Sequence, residues 1–193
     1  ENNIPEWFIE SCKKISYLFP RAHAVAYVMM AFRIAWFKVY HPLAFYAAYF
    51  SIRAKAFDLR IMTGDLNTQL SEFNRIKALD RGASPKEKDL MSALEVSMEM
   101  YQRGYRFINV DIQHSGARRF SIKDGALLPP FLAIDSLGET VADAIVEERE
   151  TKPFTSLKDL QRRCKVSATI IETMKELKCC GDLPEDEQMS LFG

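Results

Sequence analysis

Two stretches near the C-terminus, LAIDSLGETVADAIVEERE at residues 132–150 and SLKDLQRRCKVSATIIETMKELKCCG at residues 156–181, decide how the chain is read. Each parses as a helix, a short hairpin and a second helix, with the first hairpin at Ser136-Leu137-Gly138 and the second near Lys165-Val166-Ser167. Such a unit aims backbone amides and a helix N-terminus at a phosphate, which grips a nucleic-acid backbone whatever its base sequence. The same shape also serves as a plain packing unit, and the second hairpin has no glycine. On spacing alone both readings stand.

Working back from residue 132, Leu128-Pro129-Pro130-Phe131 breaks the chain and opens this helical module, which runs to about Leu183. Before it, Phe107, Val110 and Ile112 form an extended-looking run, and Phe120 and Ile122 precede the turn signal Lys123-Asp124-Gly125. A small β element is expected here. Ser84-Pro85-Lys86-Glu87 is a capping box with proline at the first helical position, opening a helix over 85–103 that Gly104 stops. A further helix with aromatic spacing (Phe45, Tyr46, Tyr49, Phe50) is expected after Pro42.

Residues 21–39, RAHAVAYVMMAFRIAWFKV, read as one helix bounded by Pro20 and Pro42. It is apolar nearly all round and is expected to be buried on most sides. A membrane span is disfavoured, because Arg33 at a helix centre costs about 2.5 to 3.5 kcal/mol in a bilayer. At about 100° per residue, His23 and Tyr27 lie about 40° apart and Arg33 about 80° to the other side of His23. An imidazole and a phenol on one flat surface, with Arg21 at the helix's positive end, make a chemically sound seat for a nucleobase and its phosphates. Packed core side chains are the alternative.

Downstream, LPEDEQMSLFG reads as a mobile tail. In Gln188-Met189-Ser190-Leu191-Phe192, burying the Leu-Phe pair on a partner gains roughly 3 to 6 kcal/mol, less the cost of ordering the tail. Gln188 supplies amide hydrogen bonds that fix register. Folding back onto the domain is the other reading.

Composition is globular, with 48% hydrophobic and 27% charged residues, and 193 residues suit one medium domain or two small ones. The formal net charge of zero resolves into +4 over residues 1–60, 0 over 61–167 and −4 over 168–193. A basic, aromatic-rich first third suits an anionic ligand, and the acidic end suits solvent or a basic or apolar partner. Cys12, Cys164, Cys179 and Cys180 include no CxxC, so neither a disulfide framework nor a zinc site is indicated, and free thiols suit a reducing cytosol. The chain starts at Glu1 with polar Asn2 and Asn3, without a signal peptide, and is expected to be a piece of something longer.

Taken together, these segments resemble one family. IPEWFIESCKKISYLFPRAHAVAYVMMAFRIAWFKVYHPL at 4–43 is similar to the fingers region of the PolC-type catalytic α subunit of bacterial DNA polymerase III. Its nucleotide-binding helix follows a pattern close to FPKAHAxAYVxMAxRxAxFKxxHP. KEKDLMSALEVSMEMYQRGY at 86–105, LLPPFLAIDSLGETVADAIV at 127–146 and the terminal QMSLF match in the family's order. The resemblance implies a mainly α fold with a small β element: a fingers region over 1–126, a tandem helix-hairpin-helix module over 127–183 and a flexible clamp-binding tail over 184–193. Arg21, His23 and Tyr27 are implied to meet the incoming deoxynucleoside triphosphate, with Arg21 standing where the family usually has Lys, and Arg33 and Lys38 match the same nucleotide-binding helix, either touching substrate or bracing the helix. Ser136, Leu137, Gly138, Thr140, Lys165 and Ser167 are implied to hold the backbone of primer-template DNA, although Ser136 replaces the usual first glycine. Gln188, Met189, Ser190, Leu191 and Phe192 are implied to dock on the β sliding clamp, with Met189 in place of the usual Leu.

The implied parent is a replicative DNA-directed DNA polymerase with an exonuclease, working with other replisome subunits in the cytoplasm at the nucleoid and without a membrane. Its Mg²⁺ ions belong to palm carboxylates that precede the fingers; no Asp-x-Asp pair occurs in this sequence, so no catalytic residue and no bound cofactor are expected here. Two other classes compete: a non-catalytic DNA-binding tether that links a sliding clamp to other replication proteins, and a structural helical domain whose tail packs on itself.

Overall fold

A computed structural model describes residues 4–15 and 20–186. The chain forms two compact units, Glu1–His41 and Pro42–Gly193.

The first unit holds α1 (Glu6–Lys13) and α2 (Arg21–Tyr40). Proline ends α2 on both sides: Pro20 is its N-cap, and the missing N–H of Pro42 follows His41. The expectation that α2 is buried on most sides is corrected, because none of its residues is buried and Phe32 is 72% exposed. The physical reason is mass. Among the described residues, the only other helix of this unit is the eight-residue α1, too small to cover a 20-residue helix that is apolar on every face. Length and composition alone would let α2 cross a membrane, but the same test is passed by ordinary core helices.

The second unit begins with α3 (Pro42–Ile52), where Tyr46 and Phe50, four residues apart, turn inward as the aromatic spacing predicts. Next come α4 (Leu59–Met62), α5 (Leu66–Ala78) and α6 (Pro85–Gln102). Carboxylates start two of them: Asp58 Oδ1 accepts from the Ile61 amide at 3.0 Å, and Asp65 Oδ1 from the Thr68 amide at 2.8 Å. The capping box opens α6 as expected, Ser84 Oγ accepting from the Glu87 amide and Glu87 from the Ser84 amide. Gly104, at φ +86°, ends the run in a conformation that suits glycine.

The β element is a hairpin of β1 (Ser121–Lys123) and β2 (Ala126–Leu128), paired Ser121 to Leu128 and Lys123 to Ala126. Its two turn residues, Asp124 at φ +50° and Gly125 at φ +74°, are both left-handed, which suits the twist of a two-residue hairpin. The extended run 107–112 forms no strand; Phe107 makes a single parallel bridge to Leu127. Phe107 is instead claimed by a cluster of rings with Phe50, Phe57 and Phe120, centroids 4.9 to 6.1 Å apart.

The last part comprises α7 (Glu139–Thr151), α8 (Leu157–Cys164) and α9 (Ala168–Glu176). The helix expected ahead of the first hairpin is only a 3₁₀ turn, Phe131–Ala133, because Pro129 and Pro130 leave too few residues before Ser136. Two hydrophobic cores lie side by side: one drawn from residues between Tyr46 and Leu127, and the other joining Leu59, Val110 and Ile112 to 131–180. Phe57 packs on both, so the two cores interleave along the chain within one unit, and the division between units falls at 41/42.

Candidate nucleic-acid interface

The two hairpins have the same construction. Ser136 sits at φ +64° and Lys165 at φ +54°, each left-handed. Each is followed by a buried apolar side chain, Leu137 at 4% exposure and Val166 at 2%, and then by the N-cap of the next helix, Gly138 or Ser167. Four and seven residues beyond each cap, the helix buries a side chain in the same core: Ala142 and Ile145 in α7, Ile171 and Met174 in α9. A 29-residue shift thus superimposes one tip on the other in sequence. Ser136 adopts the left-handed conformation without the glycine expected there, so the tip survives that substitution. Ser136→Gly should relieve the strain and raise stability by about 0.5 to 1 kcal/mol in chemical denaturation.

Gly138 behaves in the opposite way. Its φ of −76° suits any residue, and a Cβ built there meets nothing within 4 Å. Its bareness therefore does nothing for the fold, and leaves open ground in front of α7. The amides of Glu139 and Thr140, and those of Ala168 and Thr169 at the start of α9, lie in first turns with no acceptor inside the helix. Ser167 Oγ takes the Ile170 amide at 3.3 Å. Ser136, Gly138, Thr140, Lys165 and Ser167 are exposed around these amides. Leu137 is not: its side chain joins the core and its amide donates to the Ile134 carbonyl at 3.2 Å, so it anchors the tip from behind.

Charge at the first tip is partly offset by a residue that sequence reasoning missed. Arg118 Nη1 pairs with Glu139 Oε2 at 2.6 Å and its Nη2 with Asp143 Oδ2 at 2.5 Å, so one cation is shared by the two carboxylates beside the α7 N-terminus. The hydrogen bond from Arg118 holds the Asp143 carboxyl below its ordinary range. Glu139 and Asp143, four apart on one helix face, were the available signal that a cation was needed.

Two more missed arginines fix the module. Arg149 donates to the carbonyls of Ile112 at 2.8 Å and Ser115 at 3.0 Å, above the Phe131 ring. Arg163 reaches Glu148 Oε2 at 3.0 Å, Asp159 Oδ2 at 3.2 Å and the carbonyls of Glu148 and Lys152 at the end of α7, with Phe154 stacked at 4.6 Å.

In the first unit, the structure brings Arg21, His23 and Tyr27 together on the opening turns of α2. Arg33 and Lys38 lie about 15 and about 22 Å further along the axis from His23, at 1.5 Å per residue. The expected flat shelf is corrected: the rings of His23 and Tyr27 are 4.5 Å apart but 69° from coplanar, the edge-to-face arrangement that ring quadrupoles favour. Tyr27 is 64% exposed. Arg33 Nη1 contacts Met30 Sδ at 3.9 Å.

Among the described residues no three of His, Cys, Asp and Glu converge to hold a metal ion. Asp58 and Asp65 are spent as helix caps. These residues do not fit a two-ion polymerase centre. Residues 188–192, expected to bind a clamp, lie outside the described residues.

Comparison with known proteins bears on both units. A helix-hairpin-helix motif family matches residues 104–189. The whole chain aligns with DNA polymerase III PolC-type of Caldanaerobacter subterraneus subsp. tengcongensis at 50% identity over 192 residues, 14% of that protein. It aligns with DNA polymerase III PolC-type of Streptococcus pyogenes at 48% identity over 194 residues, 13% of that protein. The chain therefore spans about one seventh of the length of the curated relatives it matches. Along its full length the chain is a homologue of a segment of PolC-type DNA polymerase III, and its own residues 104–189 match a helix-hairpin-helix motif.

Proposed function

We propose that this chain is the part of a replicative DNA-directed DNA polymerase that meets the incoming nucleotide, holds duplex primer-template DNA by its backbone and carries a docking peptide for a β sliding clamp. The observation that carries this reading is the pair of matching tips, each with open amides at a helix start and an exposed rim. Two tips spaced along one module suit two phosphates, and amide donors read no base, as a replicative enzyme requires. The Mg²⁺ ions and the carboxylates that hold them are assigned to other parts of the polymerase, as are its exonuclease and its contacts with further replisome subunits. Its place is the cytoplasm, at the nucleoid.

Arg21, His23 and Tyr27 are assigned to the nucleotide. One ring turning toward coplanarity gives a stacking face, with Arg21 and the positive end of α2 toward the triphosphate. Arg33 and Lys38 are assigned to the same helix's wider contacts with substrate. A tether without catalysis would leave His23 and Tyr27 with no task, which separates the two readings. In the intact polymerase, His23→Ala and Tyr27→Ala should each raise KM for the nucleotide roughly 5- to 150-fold, the value of about 1 to 3 kcal/mol per stacked base. DNA affinity should stay within twofold. Unchanged nucleotide kinetics would remove the stacking role.

A further inference from the structure

The chain leaving α9 turns back across the helical hairpin. Leu183 packs on the core of the module. The Pro184 carbonyl accepts from the Leu157 amide at 2.8 Å, and the Glu185 carbonyl from the Lys158 amide at 3.2 Å. Both amides belong to the first turn of α8, where the helix offers no acceptor of its own. Two ion pairs hold the same residues: Lys158 Nζ to Asp186 Oδ2 and Lys175 Nζ to Glu185 Oε1, each at 2.5 Å. The Glu185 and Glu172 partners push the Lys175 ammonium up to about 12. Main chain and side chains of three consecutive residues thereby tie α8 to α9.

Position gives this tie its meaning. It sits at the start of α8, whereas the Lys165-Val166-Ser167 tip follows the end of α8, eight residues or about 12 Å away. We propose that residues 184–186 are a strap that fixes where the C-terminal segment leaves the module, at the end of the second hairpin remote from its phosphate-facing tip. A protein held by the terminal segment and a duplex held by the tips then do not compete. The strap also sets reach: releasing it back to Gly181 adds five residues, at most about 18 Å, to the tether. A longer tether lowers the effective concentration of one partner for the other. The inference rests on the tip and terminal-peptide assignments made under Proposed function.

The test uses the 193-residue chain and two readouts. In amide exchange, Leu157 and Lys158 should be protected at least tenfold more than Glu139 and Thr140, the equivalent first-turn positions of α7. That protection should be lost on Glu185→Lys with Asp186→Lys, or on Leu183→Ala if the charge reversal perturbs folding. Equal exchange at the two helix starts would overturn the strap. Next, β clamp is titrated with and without a saturating 20-base-pair duplex. Clamp affinities should agree within twofold, with Leu157 and Lys158 still protected in the ternary complex. A tenfold loss with duplex, or loss of protection when clamp binds, would overturn the proposal. If the chain bound no clamp at all, the terminal-peptide assignment would fail, and the exchange comparison would decide the strap.

Discussion

Placing a carboxylate at each hairpin tip, with Gly138→Asp and Ser167→Asp together, is expected to lower the affinity of the chain for duplex DNA about 100-fold while leaving it as stable as before or more so. The two effects point in opposite directions for a physical reason. Asp is as good an N-cap as Ser and better than Gly, and its charge favours a helix start, so each change is neutral or favours folding. At position 138 the new side chain enters open space at an ordinary φ. The same carboxylates take first-turn amides at 140–141 and 169–170 and repel a phosphate from the helix starts. Losing charge-assisted hydrogen bonds of about 1.5 kcal/mol or more at each of two tips gives the 100-fold figure. Filter binding or anisotropy reads the affinity, and thermal unfolding reads the stability. Unaltered DNA affinity in a well-folded variant would place the DNA elsewhere.

The largest stability effect is expected at Arg163. Its side chain is 15% exposed, and it satisfies two carbonyls and two carboxylates. Asp159, one of those carboxylates, is 5% exposed. Burial pushes the Asp159 carboxyl up, but the hydrogen bonds from Arg162, Arg163 and the Thr155 amide outweigh it, and the group ends below its ordinary value. Arg163→Ala should therefore cost about 3 kcal/mol, because it takes four hydrogen bonds from partly buried acceptors, leaves the buried Asp159 with only Arg162 and the Thr155 amide, and removes the guanidinium from Phe154. Arg163→Lys keeps the charge, loses the fork, and should recover about half. Circular dichroism in urea is the right probe, since both tryptophans, Trp7 and Trp36, belong to the first unit. A loss under about 1 kcal/mol would reduce the cluster to surface decoration. The pH dependence has a definite sign: the contribution of Asp159 is present above the unfolded carboxylate value near 4 and is lost as pH falls through its lower folded value. Arg163→Ala should flatten that acid limb.

What could be read from sequence and what could not divides along the range of the interactions. The capping box at Ser84 and the Lys123-Asp124-Gly125 turn are settled by residues a few positions apart, and the sequence displays them in full. Ser136 misleads because intrinsic preference argues for glycine, whereas the burial of Leu137 on one side and Ile134 on the other holds the left-handed turn regardless. Arg118 and Arg149 meet partners 21 to 37 residues away, and Arg163 adds to its local partner Asp159 the distant Glu148, so no local pattern shows the whole of any of these clusters. The apolar periphery of α2 was legible as a need for cover. Its exposure was not, since burial depends on what else the unit contains.

The central claim is that the two tips offer backbone amides to phosphate without reading sequence. Amide chemical shifts of the labelled chain on addition of duplex test it most directly. The account predicts that the largest shifts fall on Gly138, Glu139, Thr140, Ala168 and Thr169, with the same pattern for two duplexes of unrelated sequence. Largest shifts on α5 and α6, or a pattern that changes with base sequence, would contradict it.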